Sequence, residues 1–404
     1  MSEKIIRRIY SVDFLRGVVM MIMLLDHTRD YVHSAGFLFD PTDLTQTTVP
    51  LFFTRWITHF CAPTFVFLSG VSIYLQRLAG KTNAELSRFL WTRGLWLIVL
   101  EFTIVRFGFA FNLDYSLFGV AQVIWVIGVS MIVMAALIYL PVRAVGIGGL
   151  AMIVLHNLLD RFQLPPSAAF GGQPPLTGWQ DLWIVLHQQG LVPFYDKGPI
   201  IFFIYPLIPW IGVMAVGWVF GQVYAMETES RRRVFYAVGG ICTGLFIVLR
   251  SINIYGDPQP WGYQEKPWFT LLSFLNTAKY PPSLLFLLMT LGPSILALGF
   301  TDGIDGKAIW QRIGIIFGRV PMFYYLLQWF VAHGAAVLLS LAAGKDFHYL
   351  LENPGGGPPA PADAGFSLTT VYIVWISGLI LLFPLCWLYG EYKRNHKSWW
   401  LSYL

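Results

Sequence analysis

The chain has 404 residues, of which 56% are hydrophobic, 17% aromatic and only 12% charged, with a mean hydropathy of +0.60. Soluble domains carry about 25% charged residues, so these values exclude an ordinary soluble domain and indicate a polytopic integral membrane protein. The net charge of +5 is spread over loops, with Arg231 to Arg233 the one basic cluster, which points to membrane orientation and excludes a nucleic-acid surface.

In chain order, apolar runs of about 20 residues predict about ten transmembrane helices, an all-α fold with both termini on the same side. The first run, Ser11 to Tyr31, reads SVDFLRGVVMMIMLLDHTRDY and sets Asp13, Arg16 and His27 in or beside an otherwise apolar span. Ionisable groups at membrane depth are costly, so they face the protein interior, have partners and mark a functional path. Eleven residues separate Arg16 from His27, three helical turns plus roughly 20°, so both share one face. Asp13 is placed to pair with Arg16. Lys4, Arg7 and Arg8 precede this span and no small-residue cleavage site follows it, so it is expected to be retained and not removed as a signal peptide.

The remaining runs are Leu51 to Leu75, Phe89 to Phe109, Leu117 to Leu140, Arg143 to Leu159, Pro199 to Tyr224, Val234 to Tyr255, Pro282 to Phe300, Ile313 to Leu341 and Thr369 to Tyr389. The second holds Trp56, His59 and Pro63. The sixth is interrupted by Pro206 and Pro209, a break that frees backbone carbonyls and suits a cavity wall. The eighth is preceded by NTAKYPPS, with Lys279 at its mouth. The ninth carries Gln328 and His333, and Arg319 in FGRVP, where a cation is placed to meet an anionic ligand.

With cytoplasmic termini, the inner segments, including Arg77, Lys81, Arg88, Arg93 and Lys393, carry more than twice as many Lys and Arg as the outer ones, so the positive-inside rule favours that orientation. Arg16 then lies toward the cytoplasm and His27 toward the outside. Arg106 and Arg250, near outer ends of spans, are expected to reach toward the interface. Outer loops span about 33–50, 160–198, 256–281 and 342–367, and Trp179 to Leu186 reads as a short amphipathic piece. No internal repeat is evident.

Cys61, Cys242 and Cys386 fall in separate apolar segments and read as buried hydrophobes. No His, Cys or acidic spacing forms a metal motif, and there is no Walker loop, dinucleotide fingerprint or GxSxG elbow. Histidine suits proton transfer near neutrality, which makes His27 a candidate base or nucleophile, with Asp30 one turn away to orient its ring. A buried histidine bonded to a neighbouring helix is the competing reading for His27 and His59, and the favoured one for His333. His156, His187, His348 and His396 read as interface or loop residues. For Asp13 and Arg16 the alternatives are a packing ion pair or a phosphate site.

SVDFLRG, the His27 segment and WITHFCAPTFVFLSG resemble the start of the bacterial relatives of heparan-alpha-glucosaminide N-acetyltransferase, a branch of the transmembrane acyltransferases. YPLIPWIGVMAVGWVFG, KYPPSLLFLLMTLGP and FGRVPMFYYLLQW resemble later landmarks of that set, so the resemblance covers nearly the whole chain. The Arg16–His27 spacing is also similar to the Arg and His pair of O-antigen acetylase-type enzymes. The resemblance implies one transmembrane acyltransferase domain over 1–404, in a bacterial inner membrane, moving an acetyl group from cytoplasmic acetyl-CoA to a sugar outside. One departure stands out: the loop histidine assigned to catalysis in the lysosomal member has no counterpart around Phe37 and Leu38. An asparagine of that enzyme falls where His27 stands.

The expected site therefore has His27 as first and His59 as second catalytic histidine, with Asp30 beside His27. Arg16, Arg319 and Lys279 are expected to neutralise phosphates or the developing oxyanion. No metal is expected; the partners are acyl-CoA, a glycan or amino-sugar acceptor and membrane lipids, with no nucleic acid, and a homodimer is compatible with the sequence. The rival from another class is a transporter or flippase using the same polar path.

Overall fold

A computed structural model of the chain describes residues 9–36, 38–170, 177–193, 198–352, 360–396 and 398–403. Lys4, Arg7, Arg8, Phe37, Lys197 and Lys397 lie outside the described residues, as does the Gly/Pro-rich stretch 353–359.

Helix α1 (Tyr10–Val32) has five charged side chains, Asp13, Arg16, Asp26, Arg29 and Asp30, on an otherwise apolar helix. It is followed by α2 (Val49–Thr58), capped by the Thr48 hydroxyl on the Leu51 N–H, and α3 (Cys61–Leu78), which continues α2 after a break at His59 and Phe60. A capping box of Thr82 and Glu85 starts α4 (Asn83–Leu100). One π-helical turn, Glu101–Val105, leads from it into α5 (Arg106–Ala110). Buried Glu101 sits at that turn and accepts the Trp125 N–H at 2.8 Å.

The next elements are β1 (Leu117–Ala121), α6 (Val123–Leu137), α7 (Val142–Leu155), α8 (Pro166–Ala169), α9 (Gly178–His187), β2 (Gly190–Pro193), β3 (Ile200–Phe203) and α10 (Trp210–Phe220). The chain then forms α11 (Thr228–Ile252), α12 (Pro267–Leu275), α13 (Leu284–Thr301), α14 (Ile309–Arg319), α15 (Pro321–Ala342) and α16 (Leu368–Asn395). The protein is mostly helical, and its strands form one sheet of order β1-β3-β2, with β1 parallel and β2 antiparallel to β3.

Among the described residues, six helical stretches are long and apolar enough to cross a membrane: Val49–Leu78, Val142–Phe162, Thr228–Ile252, Leu284–Thr301, Pro321–Ala342 and Leu368–Asn395. Val123–Leu137 and Trp210–Ala225 are apolar but shorter, and α1 matches the others in length while carrying more charge. The fourth and sixth expected spans differ from expectation because each begins as a strand. Leu117 to Ala121 pairs with Ile200 to Phe203, so the β-branched and aromatic residues ahead of each helix satisfy their backbone groups against one another. The ninth expected span is two helices. Pro321 lacks an N–H and disfavours helical geometry in Val320, which sits at φ −127°, ψ 50°. The seventh begins earlier than expected, because Arg231 to Arg233 are helical.

Helix α1 packs against α14, α15, α16, α3 and α2. Its approach to α14 is close: a Cβ on Gly17 would overlap the Gly314 carbonyl, and one on Gly318 would overlap that of Asp13. Only glycines let these two backbones come so near, and the result is to set Arg319 beside Arg16. A second apolar cluster, including Ala121, Ile184, Ile201 and Phe203, joins the sheet to α9. Isoleucines and leucines of α7, α11 and α16, such as Ile147, Ile241 and Ile380, point outward, as lipid-facing residues do.

Candidate functional site

Two cavities lie along α1. The one toward its C-terminal end has a volume of about 600 Å³ and is lined by His27 together with Asp26, Arg29, Asp30, Arg55 and Lys279. The His27 imidazole lies on the Trp329 indole, with ring centroids 3.8 Å apart and planes inclined by 22°. Its Nδ1 is buried without a hydrogen-bond partner.

Neighbouring Asp26 accepts Arg55 Nη1 on both oxygens, at 2.9 and 2.7 Å, and the Thr58 hydroxyl at 2.8 Å. It is also ion-paired with Arg29 at 2.9 Å. Arg29 in turn pairs with Asp30. The expectation that Asp30 orients the His27 ring is therefore not met directly: its carboxylate is held by Arg29. Asp40 closes the rim, accepting the Thr42 N–H and hydroxyl at 2.9 and 2.8 Å. Burial raises its carboxyl, but Arg55 and the two Thr42 bonds more than offset this and hold it below the usual carboxylate range. Tyr205 and Tyr280, in edge-to-face contact at 5.2 Å, complete the wall beside Lys279. Ile204 and Tyr205, which follow β3 and precede the Pro206/Pro209 segment, line this cavity.

The second cavity, about 390 Å³, lies toward the N-terminal end of α1. Arg16, Lys81, Arg93, Arg319 and Lys393 line it, and no carboxylate does among the described residues. Arg16 is held by Ser72 Oγ at 2.9 Å, the Gly318 carbonyl at 3.3 Å and, as expected, Asp13 at 3.4 Å. Arg319 lies over the Tyr10 ring at 5.8 Å. Such a surface fits a multiply charged anion, with planar guanidiniums suited to phosphate. Phe65, Val123 and Tyr325 line both cavities, which therefore meet back to back.

The shared face predicted for Arg16 and His27 thus opens into two chambers of different charge. Lys279 lies in the His27 chamber, away from Arg16 and Arg319. His59 is buried at the α2–α3 break, its ring 5.3 Å from Phe286, and is not among the lining residues, although Thr58 and Cys61 are. His333 is buried, with its ring nitrogens near two carbonyls, those of Gly108 at 3.1 Å and Leu350 at 2.9 Å, to one of which the neutral ring donates. Arg106 and Arg250, expected to reach toward the interface, extend to segments between the helices. Both are buried on backbone carbonyls, Arg250 on those of Ser273, Phe274, Gln259 and Asn276. His156 and His187, expected in loops or at the interface, are also buried.

Sequence reasoning missed Arg93, Lys81 and Lys393 as cavity residues, and the anchoring of Asp26 by Arg55. All four count in the sequence only as charges that set the orientation, the first three on the inner side and Arg55 on the outer.

No curated protein matches the chain. Residues 8–255, more than half of the chain, match the family described as heparan-alpha-glucosaminide N-acetyltransferase, catalytic. The matched stretch contains α1, the α2–α3 break, the sheet and the Pro206/Pro209 segment, and so both cavity walls except those from α14, α15 and α16 and from Lys279 and Tyr280. With a histidine-bearing chamber set against a cationic one, and that match over the helix that joins them, the chain belongs to the heparan-alpha-glucosaminide N-acetyltransferase catalytic family.

Proposed function

We propose that the protein transfers an acetyl group from cytoplasmic acetyl-CoA to an amine or hydroxyl of a sugar on the outer side of a bacterial inner membrane. The supporting observation is the pair of abutting cavities, one cationic and one holding His27. The 3′-phosphate and pyrophosphate of the donor bind Arg16, Arg93 and Arg319, on the side that the Lys/Arg distribution favours as cytoplasmic. The pantetheine arm passes Phe65, Val123 and Tyr325 and delivers the thioester to the His27 chamber.

There His27 accepts the proton of the acceptor as its nitrogen or oxygen attacks the thioester carbonyl. The new C–N or C–O bond forms, the C–S bond breaks, and the CoA sulfur leaves as thiolate, which recovers the proton from His27. Lys279, being in this chamber, is placed to stabilise the developing oxyanion instead of the phosphates. The Asp26–Arg55–Arg29–Asp30 network fixes the surrounding wall, and His59, behind it, is the second candidate for proton transfer.

The test is acetyl transfer from labelled acetyl-CoA to amino-sugar acceptors by the purified enzyme. His27→Ala should abolish product while acetyl-CoA binding persists. Undiminished turnover by His27→Ala removes it from the mechanism, and absence of any acetyl transfer or thioester binding by the wild-type protein favours the transporter reading.

A further inference from the structure

Away from both cavities, α7 ends in a 3-10 segment, His156–Phe162, and α9 packs across it. Although four and then 27 residues separate them in sequence, His156, Asp160 and His187 meet there. One potential ligand atom from each lies within 4.8 Å of those from the other two. His156 is 2% exposed and His187 1%. Neither ring nitrogen of His156 has a hydrogen-bond partner, and Asp160 Oδ1 has none either. The other Asp160 oxygen accepts from Asn157 Nδ2 at 2.8 Å, while Oδ1 lies 3.8 Å from His187 Nε2. His187 Nε2 donates to the His156 carbonyl at 2.9 Å, and its ring stacks on Trp183.

A buried polar group left without a partner costs about 1–3 kcal/mol, and His156 alone has two such nitrogens. The same atoms are a competent ligand set: two imidazoles and a carboxylate select zinc and its neighbours over magnesium or calcium, which prefer all-oxygen shells. We propose that His156, Asp160 and His187 bind a zinc-class divalent ion, with water in the fourth position. The ligand atoms stand wider than the roughly 3.4 Å edge of a tetrahedral zinc site, so the side chains draw in as the ion binds. His187 Nε2 exchanges its proton and carbonyl bond for the metal.

Asn157 is the orienting partner of Asp160, and its own Oδ1 accepts the Leu284 N–H at 2.9 Å, tying the site to the start of α13. The ion would pin α9 to the end of α7. Helix α9 in turn holds the chain entering the His27 chamber, since the carbonyls of Val185 and Leu186 accept the N–H groups of Leu207 and Ile208 at 2.9 and 2.8 Å. The site is thus a staple for one chamber wall and takes no part in the acyl transfer itself.

The protein, purified without a polyhistidine tag, is loaded with zinc, dialysed against metal-free buffer and assayed by elemental mass spectrometry. The expected result is one zinc retained per wild-type chain, and at least about tenfold less in His156→Asn and Asp160→Asn. Cobalt-loaded wild type should show the visible absorption of a four-coordinate site, and a chelator should lower the unfolding temperature of the wild type but not of the variants. No zinc retained by the wild type, which would leave an ordered water as the partner of His156, overturns the proposal. So does zinc retention by the two variants equal to that of the wild type.

Discussion

The imidazole of His27 rests on the indole of Trp329, 3.8 Å between centroids, with one helix supplying the imidazole and another its platform. A ring held face-on by an aromatic plane keeps one orientation, and small misplacements of a catalytic group can cost up to about 100-fold in rate. Trp329→Leu should therefore lower kcat by about 10- to 100-fold while leaving the KM for acetyl-CoA near its original value. Steady-state kinetics check this; a variant with unchanged kcat would show that the platform is idle.

Asp26 is the carboxylate on which two guanidiniums converge. Replacing it by Asn leaves Arg55 and Arg29 short of countercharge in a buried wall, a change that costs about 3–5 kcal/mol in comparable ion pairs. The unfolding temperature in detergent should fall clearly for Asp26→Asn, and adding Arg55→Gln should recover part of the loss, because the two residues are directly coupled. Purely additive effects would contradict the pairing.

In the cationic chamber, Arg93→Gln and Arg319→Gln should each raise the KM for acetyl-CoA by about tenfold or more, the worth of one charged hydrogen bond, with little change in kcat. The penalty should shrink for an acetyl-CoA analogue lacking the 3′-phosphate if the substituted arginine contacts that group. Lys279→Met should act in the opposite sense, on kcat more than on KM. An identical kinetic signature for all three would undo the assignment of separate chambers.

His33 gives a pH dependence. It follows the last turn of α1, and its Nδ1 accepts the Ala35 N–H at 3.0 Å, a bond that requires the unprotonated nitrogen. Burial, with Arg29 nearby, lowers its pKa from the ordinary value of 6.5. The unfolded chain then binds the proton more readily than the folded one, so the stability this turn contributes is complete above about pH 6.5 and declines as the pH falls below it. The protection factor of the Ala35 amide, that is its exchange corrected for the intrinsic pH dependence, should fall on acidification through that range, and His33→Ala should abolish the dependence.

The stripe on α1 was legible because helical period and the cost of charge in an apolar span are both local facts: Arg16 and His27 do line chambers, and Asp13 does pair with Arg16. What escaped was anything assembled from several segments. Lys81, Arg93 and Lys393 come from the α3–α4 turn, α4 and α16, and only packing brings them together. Strands β1 and β3 read as the beginnings of spans, because a short buried strand and a buried helix end have the same apolar composition. His156, Asp160 and His187 carried no recognisable spacing, since their encounter depends on α9 folding back over the end of α7.

Phe65, Val123 and Tyr325 stand where the two chambers meet. Under the proposed transfer across the membrane, the group has to be handed over without short-circuiting the membrane potential, and an apolar neck resists wetting. Two aromatic rings and an isopropyl group make such a neck: the acyl chain of the proposed donor would slide through it, whereas a hydrated ion would have to shed its water first.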